Sequence, residues 1–368
     1  MIVTIEKLVN GGDGLARLPP DAAGRREVVF VPFTLPGERV RIARDGRSTR
    51  LLEILEPSPE RIAPACEYFT RCGGCQLQHT GAAHQLALKR AVLLETLQRT
   101  GGVAWSGPIQ EHAAAPWGYR NRIRLQSVPG VGVGYFEAQS HRVLPVTHCP
   151  IASPALNGGL AQLAAASVTA RAEIELAVDN SDRGLHDDAP LQFTVAGRHY
   201  RTTPGAFFQV NRFLAADLVA AVTAGASGQT ALDLFSGVGL FALVLTETFA
   251  RVEAVEADPA AADDLRSNAP AALVASMLAL DYVRSRSGPP VDLLVADPPR
   301  AGLGPELTDA IVALAPTHLH LVACDPATLG RDLRLLLAAN YTIVEVHLLD
   351  LFPQTAHIET VVKLLRHQ

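Results

Sequence analysis

From about residue 229 onward, short buried-type apolar runs alternate with amphipathic helical stretches, and this alternation limits the fold more than any other feature of the chain. The spacing predicts strands over 231–235, 251–256, 291–296, 318–323, 341–348 and 357–365, and helices over 240–249, 259–268, 305–314 and 327–339. A strand followed by a helix crosses over to a parallel neighbour, so this segment is expected to form an α/β fold: a mostly parallel sheet covered on both faces. The last two strands have no helix between them and are expected to pair antiparallel at one edge.

The rest of the chain differs in kind. Residues 1–57 read as five short strands without a helix, interrupted by Gly11-Gly12-Asp13-Gly14 and Leu35-Pro36-Gly37-Glu38, which suggests a small OB-like barrel. Pro57-Ser58-Pro59 marks a boundary. Residues 58–200 are mixed, with a helix over 83–100, strands over 120–127, 131–136 and 191–195, and an Ala-rich helix near 155–172. The N-terminus has no signal-peptide pattern and no apolar run nears twenty residues, so a cytoplasmic protein without a membrane span is expected. The net charge of −5 argues mildly against a nucleic-acid partner. Between Lys89 and Arg124, however, six basic residues stand against two acids, which permits RNA locally.

Leu232-Asp233-Leu234-Phe235-Ser236-Gly237-Val238-Gly239-Leu240 is a buried strand running into a Gly-x-Gly turn and a helix. Glycine lets the backbone turn tightly and approach a ligand closely. Glu256 ends the next strand, nineteen residues after Gly237, where a carboxylate can accept from ribose hydroxyls. This pattern alone suits NAD as well as S-adenosylmethionine. The loop Asp297-Pro298-Pro299-Arg300 favours the second, because prolines hold a carboxylate rigidly at the carboxyl edge of the sheet, where methyltransferases line an acceptor pocket.

Cys324 follows the strand over 318–323 and precedes a helix, a placement expected to lower its pKa through the helix dipole. Such a thiolate suits methylation of uracil at C5, a carbon too weakly nucleophilic to attack a sulfonium methyl unaided. Thiolate addition at C6 generates an enolate that attacks through C5, after which a base must remove the C5 proton. Glu359 on the last strand is a candidate for that base. The other four cysteines, Cys66, Cys72, Cys75 and Cys149, can hold zinc or an iron–sulfur cluster; their spacing departs from the Cys-x3-Cys-x2-Cys pattern of radical enzymes.

Together these residues resemble the RNA 5-methyluridine methyltransferase family, in its iron–sulfur type with a TRAM domain, over essentially the whole chain. The resemblance implies a class I methyltransferase (Rossmann-like) domain over 201–368, a TRAM RNA-binding barrel over 1–57 and a central iron–sulfur and RNA-binding domain over 58–200. It implies that Cys66, Cys72, Cys75 and Cys149 bind a [4Fe–4S] cluster. Gly118-Tyr119-Arg120-Asn121-Arg122 is similar to the family's central Tyr-Arg segment, and Phe207-Phe208-Gln209-Val210-Asn211 to its Phe-x-Gln-x-Asn motif. By the same likeness Gln209, Phe235, Gly237, Gly239, Leu240, Glu256 and Asp297 contact S-adenosylmethionine, Cys324 is the nucleophile and Glu359 the base. Phe207 is expected to stack on the extruded uridine. Three positions depart from the family pattern: Ser236 for Cys, Leu240 for Asn and Asp325 for Asn. A carboxylate at 325 can raise the Cys324 pKa or cap the following helix. The expected substrate is 23S ribosomal RNA, with the tRNA T-loop as the alternative, and the expected state is a monomer. A non-catalytic RNA-binding protein of ribosome assembly is the competing reading, opposed by the intact Gln209, Asp297, Cys324 and Glu359.

Overall fold

The structure, a computed structural model, describes residues 1–20, 24–46, 48–184 and 189–367. The N-terminal strands are β1 (Ile2–Thr4), β2 (Lys7–Leu8), β3 (Gly14–Arg17), β4 (Val28–Val31), β5 (Arg39–Asp45) and β6 (Ser48–Glu56). They form two three-stranded sheets, β1-β5-β6 and β2-β3-β4, closed on Val3, Ile5, Ala16, Val29, Val31 and Val40. Six strands replace the expected five. The pair flanking the Gly11–Gly12 turn, β2 and β3, is too short for alternation to register in the sequence.

The central elements are α1 (Ala82–Thr96), running into a π-helical turn over Leu97–Gly101, β7 (Gln110–His112), β8 (Arg122–Val128), β9 (Gly132–Phe136), β10 (Val143–Pro145), α2 (Pro154–Ala165), β11 (Ala172–Ala177), β12 (Leu191–Val195) and β13 (Arg198–Thr202). An antiparallel sheet β10-β9-β8-β11 packs against α2 through Ile123, Leu125, Leu144, Leu156, Leu160 and Leu176. The Ala-rich helix stops at Ala165, and residues 172–177 pair with β8 instead, where Glu173 and Glu175 accept from Gln126 and Arg124. Cross-strand pairs of this kind hold the strand that begins where the helix was expected to end.

The C-terminal elements are α3 (Ala215–Thr223), β14 (Gly228–Leu234), α4 (Ala242–Leu245), β15 (Phe249–Glu256), α5 (Pro259–Asn268), β16 (Leu273–Ser276), α6 (Ala279–Ser285), β17 (Leu293–Ala296), α7 (Gly304–Leu314), β18 (His318–Ala323), α8 (Pro326–Ala338), β19 (Tyr341–Leu349) and β20 (Glu359–Arg366). They build an eight-stranded sheet in the order β16-β15-β14-β17-β18-β20-β19-β7, with apolar layers on both faces. β14 pairs with β15 on one side and β17 on the other, so the strand order reverses there and leaves a crevice at the carboxyl ends.

The expected antiparallel pair exists, with two differences. β20 lies between β18 and β19, antiparallel to both, and the outer edge is β7, which pairs parallel with β19. A segment from the middle of the chain thus covers an edge that would otherwise be open. The helix expected over 240–249 shortens to α4, because Phe249 already pairs with Gly228 in the sheet. Among the described residues no helix is long and apolar enough to cross a membrane.

Candidate active site

The turn after β14 carries the conformations its glycines anticipate. Gly239 has φ +95°, and a Cβ there would lie 2.7 Å from Leu265 Cδ1 of α5, so only glycine lets the helix pack this closely. Phe235 has φ +59°, a left-handed conformation costing a non-glycine residue about 1–2 kcal/mol, of the kind that marks functional turns. Ser236 Oγ donates to the Asp233 carbonyl at 2.8 Å and accepts from Val255 N–H at 3.1 Å, so this departure from Cys serves the turn. Glu256 accepts from Gly237 N–H and Asp258 N–H, both at 2.8 Å, tying the end of β15 to the same turn. Leu240 is buried in the apolar core, and its carbonyl accepts from Tyr200 Oη at 3.1 Å.

The sequence reading passed over Asp233 as a site. Its side chain is fully buried, neither carboxylate oxygen has a hydrogen-bond partner, and burial pushes its pKa up to about 8. The available signal was an acid inside an otherwise apolar strand.

Gln209 is buried on a loop held from the central region. Asn121 Nδ2 donates to the Gln209 carbonyl at 3.1 Å, Asn121 N–H to Val210 O at 3.0 Å, and Arg122 Nη1 to Ala206 O at 2.7 Å. The Tyr-Arg-Asn-Arg segment is therefore the support of the Phe-Phe-Gln loop. Phe208 turns inward and stacks on Phe193 at 4.4 Å, while Phe207 is 61% exposed.

Three reactive groups meet at the carboxyl edge. Ala296 of β17 is in register with Leu321 of β18, so Asp297 and Cys324 leave the sheet at one end. Ala323 pairs with Thr360 of antiparallel β20, which brings Glu359 to that same end. Burial, followed by the negative charges of Glu359 and Asp297, pushes the Cys324 thiol up to about 11, with Arg300 opposing. The expected lowering by the helix end is overturned. Asp325 is the N-cap of α8, accepting from Ala327 N–H at 2.7 Å and Thr328 N–H at 3.1 Å, so its carboxylate already answers the helix's positive end. Burial and then Asp297 hold Glu359 well above the usual carboxylate range, and burial does the same for Asp297. Beside them the Arg300 guanidinium lies 3.3 Å from the His357 ring, whose pKa burial lowers to about 4, leaving the imidazole neutral.

Cys66, Cys72, Cys75 and Cys149 line one cavity of about 230 Å³ together with Arg120 and Tyr135. Among the described residues no three His, Cys, Asp or Glu side chains gather closely enough to hold a metal ion. The four thiols instead surround a shared space. Arg120 Nε and the Tyr135 hydroxyl are buried without hydrogen-bond partners, and burial pushes the Cys72 and Cys75 thiols up to about 11 and about 12. The half-buried Arg120 cation and four thiols lining one cavity fit an anionic thiolate-bound group larger than a single ion.

A family model described as tRNA (Uracil-5-)-methyltransferase matches residues 290–367, the segment that carries Asp297, Cys324 and Glu359. A Streptomyces avermitilis protein named "Uncharacterized RNA methyltransferase" is 32% identical, over 98% of this chain and 96% of its own. The 23S rRNA (uracil(1939)-C(5))-methyltransferase RlmD of Alkalilimnicola ehrlichii is 32% identical, over 90% of each chain. The solved structure of Pyrococcus abyssi tRNA (uracil-54, C5)-methyltransferase in complex with S-adenosyl-L-homocysteine covers 99% of this chain and 100% of its own. It superposes with a TM-score of 0.73 at 24% identity, a likeness of fold.

Proposed function

This chain belongs to the S-adenosylmethionine-dependent RNA uracil-C5 methyltransferases, and on that premise we propose that it methylates a uridine of 23S ribosomal RNA through Cys324 and Glu359. One observation carries the mechanism: Cys324, Glu359 and Asp297 converge at the carboxyl edge of the sheet and perturb one another.

In this reading the uridine leaves its stack and rests on exposed Phe207. Cys324, its thiol proton released to solvent, adds to C6 as the thiolate, and the electron pair released to C5 takes the methyl group. Bound S-adenosylmethionine supplies that methyl as an electrophile. Glu359 then removes the C5 proton, and the C6–S bond breaks to restore the ring and free Cys324. Burial and Asp297 hold the Glu359 carboxyl well above the usual carboxylate range, which makes it, once ionised, a stronger base than an exposed carboxylate. Gln209, Phe235, Gly237, Gly239, Leu240, Glu256 and Asp297 hold the methyl donor. Cys66, Cys72, Cys75 and Cys149 hold a [4Fe–4S] cluster that staples the 57–81 segment to the turn after β10, with Arg120 as half-buried countercharge. Residues 1–57 form the TRAM barrel, 58–200 the iron–sulfur and RNA-binding domain and 201–368 the methyltransferase domain of a cytoplasmic monomer. The ribosomal target is supported by the relatives that bear the 23S name.

Glu359→Gln tests the chemistry. With S-adenosylmethionine and unmodified RNA it should accumulate a methylated enzyme–RNA adduct that survives denaturing electrophoresis and depends on Cys324. Near-normal turnover would assign the base elsewhere. Iron and sulfide assays on anaerobically purified protein test the cluster, and stoichiometric zinc without sulfide would overturn it. Mapping 5-methyluridine in RNA from a deletion strain identifies the target, and a loss confined to tRNA would sink the ribosomal assignment.

A further inference from the structure

β19 and β20 are joined by nine residues, 350–358, where hairpin loops ordinarily use two to five. This strap runs directly into Glu359; Asp350 N–H donates to His112 O of β7 at 2.9 Å, and the anchors that follow lie outside the sheet. Gln76 N–H and Leu77 N–H both donate to the Gln354 carbonyl, at 3.1 and 3.0 Å, and Ala356 N–H donates to Gln76 Oε1 at 3.2 Å. The buried Gln85 amide pairs with Gln354 twice: Nε2 donates to Oε1 at 2.9 Å, and Gln354 N–H donates to Gln85 Oε1 at 2.8 Å. Gln354 is held at φ +72°, a left-handed conformation that persists only where surrounding contacts over-determine it. On the other side Gly12 presses so close that a Cβ there would lie 2.8 Å from Ala356 Cβ.

Among the described residues no hydrogen bond fixes the Glu359 carboxylate, whose surroundings act on it through burial and the charge of Asp297. Its placement is therefore set by its backbone, held on one side by the Leu349–Glu359 and Ala323–Thr360 ladder pairs and on the other by the strap that leads into it. A base must come within hydrogen-bond reach of its proton, and a shift of about 1 Å costs on the order of 100-fold in rate. Gln76 directly follows Cys75, so the segment bearing three of the four clustered cysteines also clamps the strap.

We infer that Gln76 is a positioning residue for proton abstraction: it holds the 350–358 strap so that Glu359 meets the C5 proton, without touching substrate itself. The inference rests on the reading of Glu359 as the base. It predicts a defect confined to the second half of the reaction, because the strap's ties to the cofactor loop and to the loop beside Cys324, Asn211 Nδ2 to Leu351 O at 2.9 Å and Arg300 to His357 at 3.3 Å, do not run through Gln76.

The test is single-turnover methylation of target RNA by full-length Gln76→Met protein, which keeps the side-chain volume and removes the acceptor for Ala356 N–H together with the donor to Gly73 O. The methylated adduct should form within about twofold of the wild-type rate and resolve about tenfold more slowly, a fraction of the loss expected for a displaced base. Resolution at the wild-type rate would overturn the inference. So would equal slowing of formation and resolution, which is what general loosening produces. If Gln76→Met does not fold, Gln76→Asn carries the same expectation, since it keeps the amide but draws the acceptor away from Ala356 N–H by one methylene. Glu359→Gln run alongside separates the two ideas. If it traps no adduct, the base assignment fails; if it traps adduct while Gln76→Met resolves normally, only the positioning role fails.

Discussion

The thiol of Cys324 provides a quantitative check on the active-site electrostatics. An ordinary thiol at 9.0 is about one-tenth ionised at pH 8, whereas one pushed up to about 11 is about one-thousandth ionised. Alkylation proceeds through the thiolate, so Cys324 in the cofactor-free protein should react with iodoacetamide about 100-fold more slowly at pH 8 than an unperturbed thiol of equal exposure. The rate should climb about tenfold per pH unit between pH 8 and 10 and flatten only towards 11. Peptide mass spectrometry isolates the Cys324 signal from the other four cysteines. Glu359 is the foremost charged contributor after burial, so Glu359→Gln should move the plateau to lower pH by removing a negative charge beside the developing thiolate. A plateau at or below pH 9 in the wild-type protein would refute the reasoning. It would mean that the N-terminus of α8 dominates over burial and the two carboxylates.

Phe207→Ala should lower RNA turnover about 5- to 150-fold with S-adenosylmethionine affinity nearly unchanged, a magnitude drawn from one lost base–aromatic stack of about 1–3 kcal/mol; equal losses in titration calorimetry and turnover would place Phe207 in the cofactor pocket. Lys89→Met should cost about 3–5 kcal/mol in denaturant unfolding, because Asp350, paired to Lys89 at 2.6 Å with both side chains buried, is left as an unpaired charge. Folded Asp233 keeps its proton up to about pH 8 whereas the unfolded chain loses it near 3.8, so the folded state holds the extra proton across that window. Asp233 therefore makes the stability of the cofactor-free protein fall as pH rises through the window, and Asp233→Asn should make the fall of the melting temperature between pH 5 and 8 shallower, with Asp297 and Glu359, both also raised, keeping part of it.

Features governed by neighbouring residues were legible in the chain itself. The alternation from 229 onward specifies a parallel sheet because helix and strand periods are local properties. The Phe235–Gly239 turn is legible because few residue types accept its backbone angles. The spacing of Asp297, Cys324 and Glu359 likewise marks three positions that the sheet brings to one end. What the sequence left open depends on partners far away in the chain. β7 reaches the sheet edge by pairing with a strand more than two hundred residues later, and no local pattern in three residues records that. β11 became a strand because β8 was available to it. The pKa of Cys324 reversed direction because burial and two carboxylates from other strands act on it together, while the neighbouring Asp325 spends its charge on the helix cap. The grip of Gln76 and Gln85 on Gln354 spans more than 260 residues, a contact that exists only once the tertiary fold has formed. Periodicity and turn chemistry are written residue by residue, whereas burial, charge coupling and long-range hydrogen bonds are properties of the assembled whole.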